Sequence, residues 1–324
     1  MSQQILILSQ SHLEGTTDHV CQWLSHLGIP YLRMNGEDLF DMQRLDDLPG
    51  NEEVAVVWYR RKISSFPVEY SLKQADFHTQ YTLKRFLIDE FNGLHSLLFY
   101  TIDRQKWLND PITEDSLNKL HVLALARKCG INTPFTEVVT TRAAIAQLLE
   151  SYPEIIVKPL SECIFLEDTA GGQYKMLTKT INQTSLHQVP EKFFPSLVQE
   201  KITKKFEIRT FYLDGKCHSM AIFSQNNRKT KDDFRNYDNQ RPNRTVPYQL
   251  PASLESQLDQ LMKALCFRTG SIDLMVDMQG NYYFLEINPE GQFGMVSYPC
   301  NYYLEKKVAQ LLSKSISHEK EIYQ

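Results

Sequence analysis

The sequence predicts an α/β lobe at the N-terminus and a larger α+β body behind it. Over roughly the first hundred residues, apolar strands alternate with helical segments, which favours a parallel sheet. The second half consists mostly of strands arranged as hairpins, with a few helices between them. The length of 324 residues allows two or three domains, and the 42% apolar and 23% charged composition is typical of a globular protein.

The N-terminal lobe is predicted over residues 1–105. The segments "QILILS", "PYLRMN" and "VAVVWYRR" are short and largely apolar, so we predict three strands. Between the first two, "TTDHVCQWLSHLG" predicts a helix with Thr16 or Thr17 as N-cap and Gly28 at its end. A second helix, rich in Phe, Leu and Ile, is predicted over about residues 81–94.

Two further domains are predicted, over residues 106–196 and 197–324. Asp110 and Pro111 form a helix-start signal, and "SLNKLHVLALARKCG" predicts a helix that ends at Gly130. The segment "IFLEDTAGGQYKMLTKTI" predicts a hairpin with its turn at Gly171 and Gly172. The strands of "KFEIRTFYLDGKCHSMAIFSQ" and "GSIDLMVDMQGNYYFLEIN", and a last helix over about residues 302–317, complete the body.

Composition and charge exclude several classes of function. The net charge of -4 gives the whole molecule no attraction for nucleic acid or an anionic membrane, and no apolar run is long enough to span a bilayer. The first residues have no basic segment before their apolar run, so we expect no signal peptide. The six cysteines contain no C-x-x-C pair and indicate reduced thiols, so we expect a cytoplasmic protein without nucleic-acid or membrane partners.

The segment "YYFLEINPEGQFG" ends an apolar strand in oxygen ligands. Glu286 and Asn288 are two residues apart, so on a strand they point to the same side, and Pro289 then ends the ladder. A carboxylate and an amide suit Mg²⁺, although an isolated E-x-N is more often a polar turn. Asp273, in "SIDLMVD", lies on the preceding strand of the same predicted hairpin, which makes a three-ligand site.

Two lysines occupy positions that their surroundings do not favour. Lys158 ends the apolar strand "EIIVKPL", where it either reaches solvent or binds a phosphate. Lys119 lies in the first or second turn of its helix, where the helix dipole favours acidic residues instead. Lys119 is more commonly explained as a solvated lysine, and the functional explanation is that it binds a phosphate.

Two neighbouring strands carry groups that suit a nucleotide. The segment Gln199, Glu200, Lys201 and Ile202 ends an apolar strand and can offer backbone N–H and C=O groups to a flat heterocycle. In "FEIRTFYLDG", Glu207 and Arg209 share one face of a strand. They are either an ion pair of little energetic value or the ligands of a ribose hydroxyl and a phosphate.

Three arginines are further candidates. Arg235 lies in the loop "NNRKTKDDFRNYDNQRPNR", whose composition is typical of a solvated loop but also suits closure over phosphates or an acidic substrate. Arg60 and Arg61 follow the strand "VAVVWY" at its C-terminal end, where parallel sheets open toward ligands. Because neighbours on a strand point opposite ways, we expect one of these two arginines to be structural and the other to bind substrate.

The order of these motifs resembles that of the ATP-grasp ligases over roughly residues 107–312. Walker, Rossmann, H-E-x-x-H and G-x-S-x-G signatures do not occur. Within the superfamily the chain is similar to the graspetide peptide ligases, including the microviridin ligases, and most similar to the grasp-with-spasm maturases, through "WYRR", "DFRNYD" and "GQFGMVSYPCNYYLEKKVA". Microviridin-type ligases continue with bulky aromatic residues and an acid after G-Q, whereas this chain has Phe293-Gly294-Met295, which leaves its core-peptide specificity open.

The resemblance implies an ATP-grasp fold with an N-terminal α/β pre-ATP-grasp lobe and two α+β subdomains that hold ATP between them. It implies ATP-dependent formation of side-chain ω-esters or ω-amides in a ribosomally made precursor peptide, with a leader and a core, through an acyl phosphate. The Gly171-Gly172 hairpin would be the lid, and we expect a homodimer. The implied residues are catalytic Arg209 and Arg235; nucleotide-binding Lys119, Lys158, Gln199, Glu200, Lys201, Ile202, Glu207 and Asn288; Mg²⁺-binding Asp273, Glu286 and Asn288; and substrate-binding Arg60 and Arg61.

Two other functions are compatible with the same motifs. One is an ATP-grasp ligase that adds a free amino acid to a peptide or protein carboxylate. The other is an ATP-binding regulatory module that has lost catalysis. The segment "WYRR" and the absence of a recognisable amino-acid pocket in the sequence favour the peptide cyclase over the first, and the complete Asp273, Glu286 and Asn288 set argues against the second.

Overall fold

The computed structural model describes residues 3–61, 75–161, 165–167, 173–175, 178–225 and 242–322. Its helices and strands, in chain order, are β1 (Gln4–Ser9), α1 (Gly15–His26), β2 (Tyr31–Asn35), β3 (Val54–Tyr59), α2 (Phe77–Thr101), α3 (Pro111–Asp115), α4 (Lys119–Lys128), β4 (Thr136–Thr141), α5 (Arg142–Ser151), β5 (Glu154–Lys158), β6 (Phe165–Glu167), β7 (Gln173–Lys175), β8 (Lys179–Asn182), β9 (Lys192–Glu200), β10 (Lys204–Leu213), β11 (Lys216–Phe223), β12 (Arg244–Tyr248), α6 (Ala252–Ala264), β13 (Thr269–Asp277), β14 (Tyr282–Asn288), α7 (Gly294–Cys300) and α8 (Leu304–Ile322).

The chain divides into two compact units. The first consists of Met1–Ser116, Leu265–Thr269 and Pro289–Gln324, and the second of Leu117–Ala264 and Gly270–Asn288. The three predicted domains are not tested by this division and stay predictions. No helix in the described ranges is both long and apolar enough to cross a bilayer.

The first unit is built on a parallel sheet, as predicted, and its strand order is β2-β1-β3. Strands β1 and β3 are largely apolar and almost completely buried, because helices cover a parallel sheet, whereas the edge strand β2 is only partly buried. Leu6, Val57, Leu98 and Trp107 belong to its core. Helix α1 packs on α8, and α8 also contacts β1 and β3.

The helix boundaries of the first unit differ from the prediction at the start of α1 and at both ends of α2. The N-cap of α1 is Glu14 and not Thr16 or Thr17, which are buried in the first turn. Glu14 takes this position because its carboxylate accepts hydrogen bonds from Thr17, Arg61 and Gln292, contacts that local sequence does not reveal. Helix α2 starts before the predicted residue 81 because the Asp76 side chain caps it, accepting from the Thr79 N–H at 3.0 Å.

The second unit contains two main sheets, in the orders β12-β11-β10-β13-β14 and β4-β9-β5-β8. Strands β10 to β12 pair antiparallel, and β13 and β14 form an antiparallel hairpin, so the predicted α+β class is confirmed. Strands β6 and β7 also pair antiparallel, although the predicted turn at Gly171 and Gly172 lies outside the described residues. Helix α5 packs on the second sheet through Ile145 and Leu149.

Candidate active site

A cavity of about 220 Å³ lies in the second unit, between strands of its two main sheets. Strand β5 and the segment after β9 form one part of its wall, and β10, β13 and β14 form another. Six of the residues predicted to bind nucleotide or metal line it: Lys158, Lys201, Ile202, Glu207, Asp273 and Glu286. The sequence motifs are therefore brought together in one place, by strands that are far apart along the chain.

Two carboxylates lie side by side in the cavity wall. Asp273 and Glu286 are direct partners in the β13–β14 ladder, so their side chains project from the same face of the sheet. A bulge follows at once, because Leu274 pairs with Phe284 and leaves Leu285 unpaired. Bulges re-aim neighbouring side chains, and Leu285 and Glu286 both line the cavity.

Asn288 continues the same face and is exposed, with Ser271 as its ladder partner. The Ser271 hydroxyl is buried and has no hydrogen-bond partner within the described chain. Asp273, Glu286 and Asn288 are hard oxygen donors, and Mg²⁺ commonly takes one or two carboxylates and completes its shell with phosphate oxygens. The donor set therefore fits Mg²⁺, although no group of three His, Cys, Asp or Glu side chains in the described ranges is arranged to hold a metal by itself.

Asp273 also forms a buried ion pair. Nη1 of Arg209 lies 2.6 Å from Oδ1 of Asp273, and both side chains are about nine-tenths buried. Arg209 is on β10, the neighbour of β13 in the sheet. The structure thus pairs Arg209 with Asp273 and not with Glu207, the partner that the sequence made available on the same strand.

Glu207 is held by two other groups. Nζ of Lys204 is 2.8 Å from its Oε1, and the Ser224 hydroxyl donates to its Oε2 at 2.8 Å. Lys204 and Gln225 line the cavity but were not singled out in the sequence. Lys204 lies on the same face of the strand as the buried Phe206 and Ile208, so the two-residue period is a signal that would have placed it inside.

The segment predicted to face a heterocycle is partly used within the protein. The N–H of Glu200 donates to the Phe135 carbonyl at 3.1 Å, and the Lys201 N–H donates to the Glu154 carbonyl at 3.1 Å. Oε1 of Glu200 accepts from the Phe135 N–H at 2.9 Å. Gln199 is 2% exposed and binds Thr136, so Lys201 and Ile202 are the members of the segment that reach the cavity.

The two predicted phosphate lysines have different surroundings. Lys158 is half-buried at the end of β5 and lines the cavity. Lys119 is the first residue of α4, where its Nζ donates to the Ser161 carbonyl at 2.5 Å. Lys119 lines a smaller hollow together with Leu285 and Glu286, so it lies close to the carboxylate end of the site.

The predicted substrate arginines belong to the first unit. Arg60 is 1% exposed, and its guanidinium lies 5.0 Å from the Trp58 ring and 5.8 Å from the Phe293 ring. Burial lowers the pKa of Arg60. Arg61 is partly exposed and forms ion pairs with Glu14 and Glu290. Arg235, predicted to be catalytic, lies outside the described residues.

Comparison with known proteins gives the fold. No protein-family model and no curated protein matches the chain. The macrocyclase MdnC from Microcystis aeruginosa MRC, solved with precursor peptide MdnA, is 22% identical with a TM-score of 0.76, covering 96% of this chain and 100% of that chain.

A RiPP-associated ATP-grasp ligase from Chryseobacterium gregarium, solved with ADP and a leader and core peptide, gives 20% identity and a TM-score of 0.75 over 98% of this chain and 97% of that one. The ATP-grasp ligase PsnB was solved with a phosphomimetic variant of its minimal precursor, Mg and ADP. It is 17% identical to this chain with a TM-score of 0.71, over 97% of this chain and 99% of that one. The chain therefore has the fold of the ATP-grasp ligases, and the predicted fold class is confirmed.

Proposed function

We propose that this protein is an ATP-dependent peptide maturase that forms ω-ester or ω-amide bonds between side chains of a ribosomally made precursor peptide. The cavity of the second unit carries this proposal, because it gathers Lys158, Glu207, Asp273 and Glu286 on an ATP-grasp fold. The fold likeness extends over almost all of the chain to MdnC and the Chryseobacterium ligase, both solved with peptides. The D-cycloserine synthetase DcsG is covered to the same extent, but its TM-score is 0.56 against 0.76 and 0.75 for the two peptide-bound ligases, which supports a peptide over a smaller substrate.

Each end of the cavity suits a different part of the nucleotide. Asp273, Glu286 and Asn288 would hold Mg²⁺, which supplies charge neutralisation for phosphoryl transfer when it is bound. Lys158 and Lys119 would bind phosphate oxygens near them. Ile202 supplies the next backbone N–H after the two that are used internally, so it is our candidate for the adenine contact, with Glu207 for the ribose.

The chain's own cations have a clear task in this reaction. A peptide carboxylate and a phosphate are both anions, so the peptide acyl phosphate forms only where positive charge offsets their repulsion. Arg209, held 2.6 Å from Asp273, is fixed in position for this, and we keep Arg235 as a second candidate. A Thr or Ser hydroxyl or a Lys amine of the peptide then attacks the acyl group, and phosphate leaves.

The two substrate candidates now have distinct roles in the proposal. Arg60 is enclosed between aromatic rings, so we assign it to structure. Arg61 is partly exposed and already binds carboxylates, so we assign it to an acidic side chain of the peptide. Arg61→Ala should then spare nucleotide affinity and stop cyclisation, whereas Arg60→Ala should mainly lower the melting temperature. Full cyclisation by both variants would remove the pair from substrate recognition.

Mass spectrometry tests the function directly. The purified protein is incubated with ATP, Mg²⁺ and a Thr/Ser- and Asp/Glu-rich peptide encoded beside its gene, with Glu286→Gln as the inactive control. Loss of one water mass for each bond, with release of ADP, is the expected result. Gain of an amino-acid residue mass would indicate an amino-acid ligase instead. No ADP release with any encoded candidate peptide would indicate a regulatory module.

The proposal includes a homodimer in the cytoplasm, as expected from the sequence. Size-exclusion chromatography with in-line light scattering measures the molecular mass in solution, and the mass of a dimer is the expected result. Activity at the dimer mass only would tie the assembly to the reaction.

A further inference from the structure

A second concave site lies in the first unit, where α1, α7 and the start of α8 meet. It has a volume of about 260 Å³. Its lining combines aromatic rings, two side-chain amides and a carboxylate: His19, Gln22, Trp23, Ser297, Tyr298, Asn301, Tyr303 and Glu305. None of these residues takes part in the proposed reaction.

Glu305 is the unusual member of this set. It is 4% exposed, and only its Oε2 is hydrogen-bonded, accepting from the Ser297 hydroxyl at 2.6 Å. Its Oε1 is buried and has no hydrogen-bond partner in the described chain. The first turn of a helix favours an acidic residue, which explains why a glutamate occurs at this position of α8. The helix dipole does not, however, give Oε1 a hydrogen-bond partner. Within the described part of the chain, a carboxylate without an ion-pair partner therefore lies in the wall of the site.

The aromatic side chains face the same space. Tyr298 and Tyr303 are 57% and 64% exposed, so their rings are accessible to a ligand. The Tyr298 hydroxyl is 2.7 Å from Nδ1 of His19, which fixes the ring at the mouth. Gly294 is needed for this arrangement, since a Cβ there would lie 2.9 Å from a Tyr298 ring carbon.

One ring of the site already interacts with a cation. Nζ of Lys306 lies 5.1 Å from the Trp23 ring centroid, a cation–π contact within the chain. Among the described residues that line the site there is no lysine or arginine, so its interior charge is that of Glu305. Aromatic faces beside a carboxylate are the surroundings that bind an organic cation.

We propose that this site binds the ammonium or guanidinium group of a lysine or arginine side chain in a peptide. A peptide is favoured over a free amine because the amides of Gln22 and Asn301 can each donate to and accept from a peptide backbone. The inference goes beyond the proposed function and does not depend on it, because the site lies outside the nucleotide cavity and involves no ATP.

Nuclear magnetic resonance can measure this binding without any catalysis. The chain has three tryptophans, and Trp58 and Trp107 are buried at 2% and 4%, so the Trp23 indole signal reports on the site. The probes are the N-acetyl, N′-methylamide derivatives of lysine, arginine and the uncharged norleucine, together with butylammonium. We expect the lysine and arginine probes to shift the Trp23 signal with dissociation constants on the order of 1 mM, and norleucine to bind about tenfold more weakly.

Matched variants separate binding from folding. Glu305→Gln keeps the shape and the bond from Ser297, and should weaken the lysine probe about tenfold. Tyr298→Ala should also weaken it, whereas Tyr298→Phe keeps the ring and should not. Glu150→Gln changes an exposed carboxylate of the other unit and is the control. Melting curves identify any variant that fails to fold.

Three outcomes would overturn the inference. Norleucine binding as tightly as lysine would mean that charge is not recognised. Unchanged lysine binding by a folded Glu305→Gln would mean that Glu305 serves the helix alone. Butylammonium binding as tightly as the lysine derivative would overturn the peptide as occupant. None of these measurements depends on ATP or on catalysis at the cavity of the second unit. This inference and the proposed function can therefore fail separately.

Discussion

In the second unit, two buried basic residues lie beside the cavity with a carboxylate in contact: Lys204 with Glu207 at 2.8 Å and Arg209 with Asp273 at 2.6 Å. In the first unit, Arg60 and Glu114 are equally buried, at 1% and 6% exposed. There, however, Nε and Nη2 of Arg60 and both carboxylate oxygens of Glu114 have no hydrogen-bond partner in the described chain. Nζ of Lys204 and Nε of Arg209 also lack a hydrogen bond there, but each of these two side chains keeps its ion pair with a carboxylate.

Similar burial of charged groups therefore has opposite energetic consequences in the two units. A paired charge in the second unit leaves an uncompensated ion behind when its partner is removed, which is strongly destabilising. An unsatisfied carboxyl in the first unit is already costly, so neutralising it should be neutral or stabilising.

Breaking the Arg209–Asp273 pair should have the largest effect. Asp273→Asn removes the charge that compensates buried Arg209, so the free energy of unfolding should fall by about 3–5 kcal/mol, and peptide-dependent ATP turnover should be lost. Urea unfolding followed by circular dichroism measures the first quantity. The double variant Arg209→Met with Asp273→Leu is the control, because removing both charges should restore most of the stability and none of the activity. A single variant as stable as wild type would contradict the contrast.

Glu286→Gln should separate activity from stability. Glu286 is half-buried and lies in the cavity wall. Loss of its charge should lower peptide-dependent ADP release by roughly 10²–10³-fold, the usual cost of removing one electrostatic contributor to a transition state. The melting temperature should stay near that of wild type. Glu137→Gln, at an exposed position on β4, is the matched control. Ordinary turnover by Glu286→Gln would remove it from the metal site.

The two lysines proposed to bind phosphate should give a smaller effect. Lys158→Ala should weaken a non-hydrolysable ATP analogue by roughly 10–100-fold, since one charge-assisted contact contributes about 1.5–3 kcal/mol. Lys119→Ala should weaken it less, because that ammonium already binds the Ser161 carbonyl. Lys179→Ala is the control. Lys179 lies on β8, pairs with Val157 of β5 and is exposed, while its neighbours Thr178 and Thr180 line the cavity. Isothermal titration gives the affinities, and equal values for all three would exclude both lysines.

Sequence alone predicted most of the helices and strands, and it placed Asp273 and Glu286 on one hairpin. It could do so because the two-residue periodicity of a strand is visible in the amino-acid sequence. It did not predict the bulge at Leu285, which depends on how β14 registers with β13. It also missed the pairing of Arg209 with Asp273, since that contact joins positions far apart in the chain. The Glu14 cap was missed for the same reason: its partners Arg61 and Gln292 are brought to it only by the fold.

The smallest effect concerns Glu114 and has a definite dependence on pH. Burial raises the pKa of Glu114 well above its ordinary value, with Glu290 acting in the same direction and Arg60 opposing it. Below the unfolded pKa, about 4.3, the carboxyl is protonated in both states and costs nothing. As pH rises above that value the unfolded state ionises while the folded state keeps its proton, so stability falls.

Glu114→Gln removes this loss, so we expect it to be more stable than wild type by roughly 1 kcal/mol at pH 7.5, with the advantage shrinking at pH 4.5. All three tryptophans lie in the first unit, so urea unfolding followed by tryptophan fluorescence reports on that unit. Comparing variant with wild type at each pH cancels the titration of other carboxylates. Glu150→Gln, on the exposed face of α5 in the other unit, should give no difference at either pH. An advantage that is absent, or equal at both pH values, would show that Glu114 is ionised in the folded protein, and the contrast between the two units would then fail.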